Sequence, residues 1–387
     1  MIGFWKHTVS RFKSAYQSRG GDWDELQRSL TQAKALFEHH QNILAFGTGF
    51  VFDSLTLNRI DAWLDLVIQG LYLGLLSALL LAQHEAGKDR WKFSGRWAKL
   101  WKFNEEVLHF LFGGLLSAYV IFYSKSGVTA QTFLFFAFIA GLLVYNEMPQ
   151  ARKWGAPLRI ALYTVCLASF LIYFVPVLAG KMGDGVFALS MLATAAGTGG
   201  LLALMTRLDK DKKAELTKLA LPAVLLLGVL TSFYYLRWIP PVPLSLQFSG
   251  IYHKVERKNG EYALTFERGP WYSFMRRQDN PYRARPGDRI YCFVRVFAPT
   301  RFKHEIALQW LLKDPESGEW RARDRIPLPI KGGRTQGYRG YAYKARWEPG
   351  DWKIKVETAD GRVMGETTFR VVADPKKKPR RWKTVSM

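Results

Sequence analysis

Before about residue 237 the chain carries one long apolar run after another, and beyond it there is none. The clearest are LVIQGLYLGLLSALLLAQ, TFLFFAFIAGLLVY, IALYTVCLASFLIYFVPVLAG and LALPAVLLLGVLTSFYYL. A helix needs roughly 20 apolar residues to cross the hydrocarbon core of a bilayer. A single run of that kind fits a buried helix of a soluble protein, but a succession of them does not. The reading is a membrane all-α bundle of about seven transmembrane helices, at 40–57, 62–82, 106–123, 128–147, 157–178, 184–205 and 216–236. The first segment carries Asp53, and a six-span count follows if it is re-entrant or interfacial.

The formal net charge is +23, a value shared by nucleic-acid binders and by membrane proteins with basic cytoplasmic loops. The distribution of the charge separates them. Lys and Arg crowd the first 36 residues, 83–105, 148–156 and 206–215, while the alternate loops hold Arg59, Lys125 and Lys181. With seven spans, every basic loop falls on one side. The positive-inside pattern then puts the N-terminus in the cytoplasm and everything after residue 237 outside. Residues 1–36 are expected to form a cytoplasmic amphipathic segment, and 37–237 the transmembrane domain. The loop WKFSGRWAKLWKF mixes aromatics with basic residues. Between two spans this is an anchor for anionic lipid, and no nucleic-acid partner is expected. Cys166 and Cys292 lie in apolar and strand-like runs and read as buried side chains.

Polar residues gather near the span ends on the basic side. Glu106 and His109, three apart, share a helix face, and His84 and Glu147 come from neighbouring spans. Carboxylates and histidines on facing helices are the ligands of helix-bundle metal sites. Helix-end capping accounts for the same residues, and no cofactor is expected. On the other side, Asp53, Arg59 and Asp61 read as an ion-paired corner. In TAAGTGGLLA, Gly197, Gly199 and Gly200 allow either close helix approach or a locally unwound substrate site.

Pro240, Pro241 and Pro243 form an exit linker over 238–244. From there the period of the pattern becomes two. YALTFERG, RIYCFVRVFA, EIALQWLLKD, GYAYKARWE, WKIKVETAD and ETTFRVVAD are short strands separated by PGD, PESG, KGG, EPGD and DG turns. Residues 245–374 are therefore expected to form an all-β, immunoglobulin-like sandwich, followed by a basic disordered tail over 375–387. Pro349 and Gly350 make a turn ahead of Trp352, which starts an alternating strand and points into the core.

The C-terminal third resembles a bacterial family of multi-span inner-membrane proteins with a small conserved C-terminal β domain of unknown function. The resemblance rests on Gly332-Gly333-Arg334, Gly337-Tyr338-Arg339, Pro349-Gly350-Asp351-Trp352, Asp360-Gly361, Gly365 and Phe369-Arg370-Val371. It covers residues 245–373, and the helical half more loosely through DSLTLNRID. It implies the architecture and no chemistry.

After residue 236 there are 32 Lys/Arg against 16 Asp/Glu. That surplus points to an anionic partner: membrane lipid, an anionic envelope polymer, or another membrane or periplasmic protein. The expected function is a membrane-anchored binding or assembly protein rather than an enzyme. Arg334, Tyr338, Arg339 and Arg346 are its candidate contacts, with arginine forks suited to carboxylate or phosphate. A transporter or channel is one alternative, and a membrane enzyme built on the Glu/His cluster is the other. The charge pattern makes a topological prediction. A cysteine introduced at Lys92 is shielded from an impermeant thiol reagent in intact cells, and one at Asp360 is labelled; the opposite result reverses the orientation.

Overall fold

The computed structural model describes residues 50–387 apart from 52, 56, 58, 59, 93, 128, 131, 147, 149–154, 259, 270–276, 300, 301, 332–336 and 375–378. The chain divides into residues 1–56 and 57–387. In the first unit the description is confined to a helical stretch at 50–55, where Ser54 Oγ donates to the Phe50 carbonyl at 2.8 Å. Asp53 lies in that stretch. The N-terminal amphipathic segment, most of the first apolar run, Arg59 and the basic loop at 149–154 fall outside the described residues.

In the second unit, α1 (Trp63–Gly87), α2 (Gly95–Trp101), α3 (Asn104–Lys125), α4 (Phe133–Asn146), α5 (Ala156–Ala179), α6 (Asp184–Met205) and α7 (Lys212–Tyr235) precede the strands. Five of these, α1, α3, α5, α6 and α7, are long and apolar enough to cross a membrane. The segment expected at 128–147 is an apolar helix of only 14 residues, α4, and is shorter than a standard span. The helix is preceded by a turn in which Thr129 and Thr132 exchange backbone-to-hydroxyl hydrogen bonds.

Chemistry at the ends sets the helix limits. Pro157 sits in the first turn of α5, where its missing N–H costs nothing, and Gly180 closes the helix in the left-handed region. Asp211 accepts from the Ala214 amide and starts α7. Buried residues make up 72% of the apolar window of α5 but only 17% of that of α7, so α5 is the centre of the bundle and α7 its periphery. Tyr173 donates to Gln69 across the centre, and Ser77 donates to Tyr163 at 2.8 Å. The unwound site considered for Gly197, Gly199 and Gly200 does not occur, because α6 is continuous from 184 to 205. A Cβ at Gly197 would meet the Leu167 side chain at 2.9 Å, so close packing on α5 is the reason for a small residue there.

Among its described residues the β domain has eleven strands: β1 (Ser245–Tyr252), β2 (Lys254–Lys258), β3 (Glu261–Glu267), β4 (Tyr282–Ala284), β5 (Ile290–Phe297), β6 (Lys303–Lys313), β7 (Trp320–Lys331), β8 (Tyr338–Lys344), β9 (Gly350–Thr358), β10 (Val363–Ala373) and β11 (Trp382–Ser386). They form sheets of order β1-β5-β8, β4-β10-β9-β6-β7 and β11-β3-β2. Among the described residues these pairings are antiparallel except β4 with β10. Strand β5 is buried on both faces. Cys292 and Val294 join a core shared with Trp310, Trp352 and Ile354 of the five-stranded sheet, while Phe293 faces a second core with Leu264 and Phe266 of the third. Pro327 and Pro329 lie on β7, an outer strand, where a missing N–H breaks no ladder.

Residues 382–386 correct the expectation of a disordered tail. They form β11, in register from Trp382 opposite Glu267 to Ser386 opposite Ala263. Both cysteines are free and buried.

The domain packs on the helix ends opposite the basic loops. Gly127, at φ +110 just past α3, lies so close to β10 that a Cβ would meet the Met364 carbonyl oxygen at 2.1 Å. Arg362 stands 3.7 Å over the Tyr234 ring near the end of α7. Tyr234 in turn stacks on Phe187 at 3.6 Å and donates to Asp184 at 2.9 Å.

Trp352 is 1% exposed, meets Trp310 edge-on at 6.5 Å and donates to the Glu348 carbonyl at 2.9 Å. Gly350 before it has φ +145, which a side chain would strain. Trp352→Ala in the full chain is expected to cost on the order of 3–5 kcal/mol. The readout is the midpoint of protease sensitivity of the β domain in detergent; an unchanged midpoint removes Trp352 from the core.

Candidate functional site

At the basic end, helix α1 stops at Gly87, and Asp89 in the left-handed region (φ 58) turns the chain back on itself. The Arg90 amide then reaches the Glu85 carbonyl at 3.0 Å. The turn also brings the Arg90 guanidinium onto the Glu85 carboxylate through Nε at 2.6 Å and Nη2 at 2.8 Å. This fork-on-carboxylate geometry is the strong form of an ion pair.

The free Nη1 of Arg90 reaches Asp209, in the loop between α6 and α7, at 2.8 Å. Lys88 Nζ lies 2.8 Å from the same oxygen, Oδ1, and His84 Nε2 lies 3.2 Å from Oδ2. Glu215, in the first turn of α7, approaches Lys88 at 3.6 Å. The side chains of His84, Glu85 and Asp209 are 3–4% exposed. Burial opposes ionisation of Asp209, but hydrogen bonds from Lys88, Arg90 and His84 outweigh it and hold its carboxyl well below the usual carboxylate range.

His84, Asp209 and Glu215 each offer a ligand atom, and these atoms lie within 4.8 Å of one another. Lys88 stands between the two carboxylates, where a cation of either kind balances them. Nitrogen plus carboxylate oxygen is a donor set for zinc, manganese or iron.

The other metal candidates take no part. His109 Nδ1 lies 3.1 Å from Asn146 Oδ1, and Asn146 donates back to the His109 carbonyl at 3.0 Å. Among the described residues, Glu106 and His109 meet no third ligand. Glu147 lies outside the described residues. Sequence reasoning found His84 but missed Asp209 and Glu215. In TRLDKDKKAEL they stand among four basic residues, whose positive charge masks them.

Of the candidate contacts in the β domain, Arg334 lies outside the described residues. Tyr338 and Arg339 are adjacent on β8 and so face opposite sides of the sheet. Tyr338 packs against the main core. Arg339 donates to the Gly260 carbonyl at 3.2 Å and lies 5.8 Å over Tyr262. Arg346 is exposed beyond the far end of β8. In the same domain His253 pairs with fully buried Asp279 at 2.7 Å and stacks on Tyr282 at 4.0 Å.

Residues 303–371 match the family described as "Protein of unknown function (DUF2914)". The chain is thus a multi-span membrane helical region followed by a small C-terminal domain of unknown function. No curated protein matches. Among solved structures, an immunoglobulin-like protein from Pseudomonas aeruginosa is 14% identical, covers 34% of this chain and 98% of its own, and has a TM-score of 0.20. An alkylpurine DNA glycosylase of Pseudomonas fluorescens, bound to DNA containing an abasic-site analogue, is 9% identical, covers 78% of this chain and 97% of its own, and scores 0.22. Likeness at that level carries no weight on fold or function.

Asp209 has a testable signature. A carboxyl depressed in the folded state adds stability above its unfolded pKa and loses it as pH falls toward the folded value. Asp209→Asn is therefore expected to lower the thermal midpoint at pH 7, with the deficit fading only below the ordinary value of 3.8. A deficit that has gone by pH 6 assigns the effect to another group.

Proposed function

We propose that the chain is a membrane enzyme that uses a divalent metal at the basic end of its helices, held by His84, Asp209 and Glu215. The observation that carries this is the convergence of one nitrogen and two carboxylate donors, from two helix ends and a loop, within 4.8 Å. It supports the catalytic alternative over the binding role expected from charge alone. A bound metal would supply a Lewis acid and a water acidic enough to attack at neutral pH. The ion would displace the Lys88 ammonium from between Asp209 and Glu215 and leave it beside the metal as a cation for an anionic substrate. Arg90 would keep Asp209 in place through Glu85. The neighbouring segment with Lys92, Arg96 and Lys99 draws anions by its field, and Trp97, 70% exposed, suits the membrane interface.

In this reading the basic end is cytoplasmic, the chain sits in a bacterial inner membrane, and the β domain lies in the periplasm, following the Lys/Arg segregation. The shared core of two facing sheets suits an immunoglobulin-like sandwich. A second role, presentation of that basic domain to a protein or an anionic envelope polymer, is favoured by Arg346, which is exposed with no partner among the described residues.

Metal analysis of the full chain, purified without chelators and supplied with zinc and manganese in turn, tests the first reading. One ion per chain is expected, falling to background in His84→Ala and Asp209→Asn. A metal content at background under both supplements overturns it.

A further inference from the structure

At the opposite end of the helices, a cleft of about 580 Å³ opens between the end of α3 and strands β1 and β5. Its walls are of two kinds. Ile60, Phe122 and Phe297 are apolar, while Arg295, Lys125 and Gln247 bring hydrogen-bond donors.

Arg295 is the unusual member. It sits on the central strand β5, half-buried, and its Nε is buried with no hydrogen-bond partner. No carboxylate among the described residues pairs with it. Directly across the ladder stands Arg339, whose Nε is also buried without a partner. Like charges facing each other across a sheet repel. A guanidinium has five donors, and a buried Nε left open loses the hydrogen bond it had in water. The cationic lip is completed by Lys125, the last residue of a membrane-length helix, whose ammonium donates to the Leu57 carbonyl.

We propose that this cleft binds a phosphate group, with Arg295 and Lys125 as its cationic ligands. The arginine fork matches two phosphate oxygens, and lysine adds a point charge. Arg339, next to Arg295, gains from the same negative charge. The position argues for the headgroup of an anionic phospholipid. Lys125 ends a span, which is the level of lipid phosphates. The apolar side of the cleft is lined by Phe122 of the same helix. Free phosphate shares the chemistry and is the other source. The proposal does not rest on the metal reading, since the two sites occupy opposite ends of the helices.

The test is native mass spectrometry of the full chain, delipidated in a neutral detergent and titrated separately with phosphatidylglycerol and inorganic phosphate. Arg295→Gln is expected to weaken the first binding event about tenfold or more, as befits a charge-assisted pair of hydrogen bonds. Arg295→Lys restores part of it, and Lys383→Gln on β11 leaves it unchanged. Loss confined to phosphatidylglycerol identifies the lipid as the source; loss confined to inorganic phosphate identifies the free anion. If Arg295→Gln does not fold, Lys125→Gln, at an exposed position, carries the test. Binding of both ligands at wild-type strength in the folded variants overturns the proposal.

Discussion

The contact of Arg362 with Tyr234 is the joint on which the arrangement of the second unit depends. The guanidinium lies 3.7 Å above the ring, and its Nε is held at 2.7 Å by Asp360. A cation over an aromatic face is attracted by the ring quadrupole, and more strongly where water is excluded. Arg362 is 5% exposed, so the contact is of the stronger kind. Both residues of the pair are braced from behind. Tyr234 is stacked on Phe187 and tied to Asp184, and Asp360 also accepts from Thr358. The turn that carries Asp360 and Gly361 thereby connects the five-stranded sheet to the starts and ends of two spans. Gly127 against Met364 supplies a second point of contact, one at which no side chain fits. Two points separated along the helix ends leave less freedom than one, which would act as a pivot.

The helices were legible because hydropathy is a local property. Each of the five membrane-length helices falls on a run visible in the sequence, to within a few residues. The strands β3, β5, β6, β8, β9 and β10 were legible for the same reason: alternation or a continuous apolar run shows within eight residues. Strand β7 was hidden by Pro327 and Pro329, which are compatible with a strand only at an edge, and edges are not written in the sequence. Strand β11 was hidden by the KKKPRR that precedes it. Its five residues offer only Val385 to a core, and the pairing that orders them comes from β3, over a hundred positions earlier.

The candidate metal site shows a sharper limit. His84 and Glu106 looked like partners because both lie near span ends in consecutive helices. The residues that do meet His84 are more than 120 positions away, in a segment whose acids were masked by its bases. Which loop touches which at the end of a bundle is a matter of helix order in space. Here α7 contacts α5 and α6, and the turn after α1 reaches the loop that joins α6 to α7. The basic segments at 83–105 and 206–215 do come together, since Arg90 and Asp209 meet, but counting charge could not resolve signs within them.

The length of α1 gives the whole arrangement a scale. Its 25 residues at 1.5 Å each separate the Asp209 cluster from the β-domain end by roughly 35 Å. That exceeds the Debye length at physiological salt, about 8 Å, several times over. The two clusters of charge therefore cannot sense each other through solution. Set in a bilayer, they face separate baths, each with its own pH and ions, and the membrane voltage falls between them. Any message from one end to the other must travel as a displacement of rigid rods, and α5, buried along most of its length, is the rod least free to move without carrying its neighbours with it.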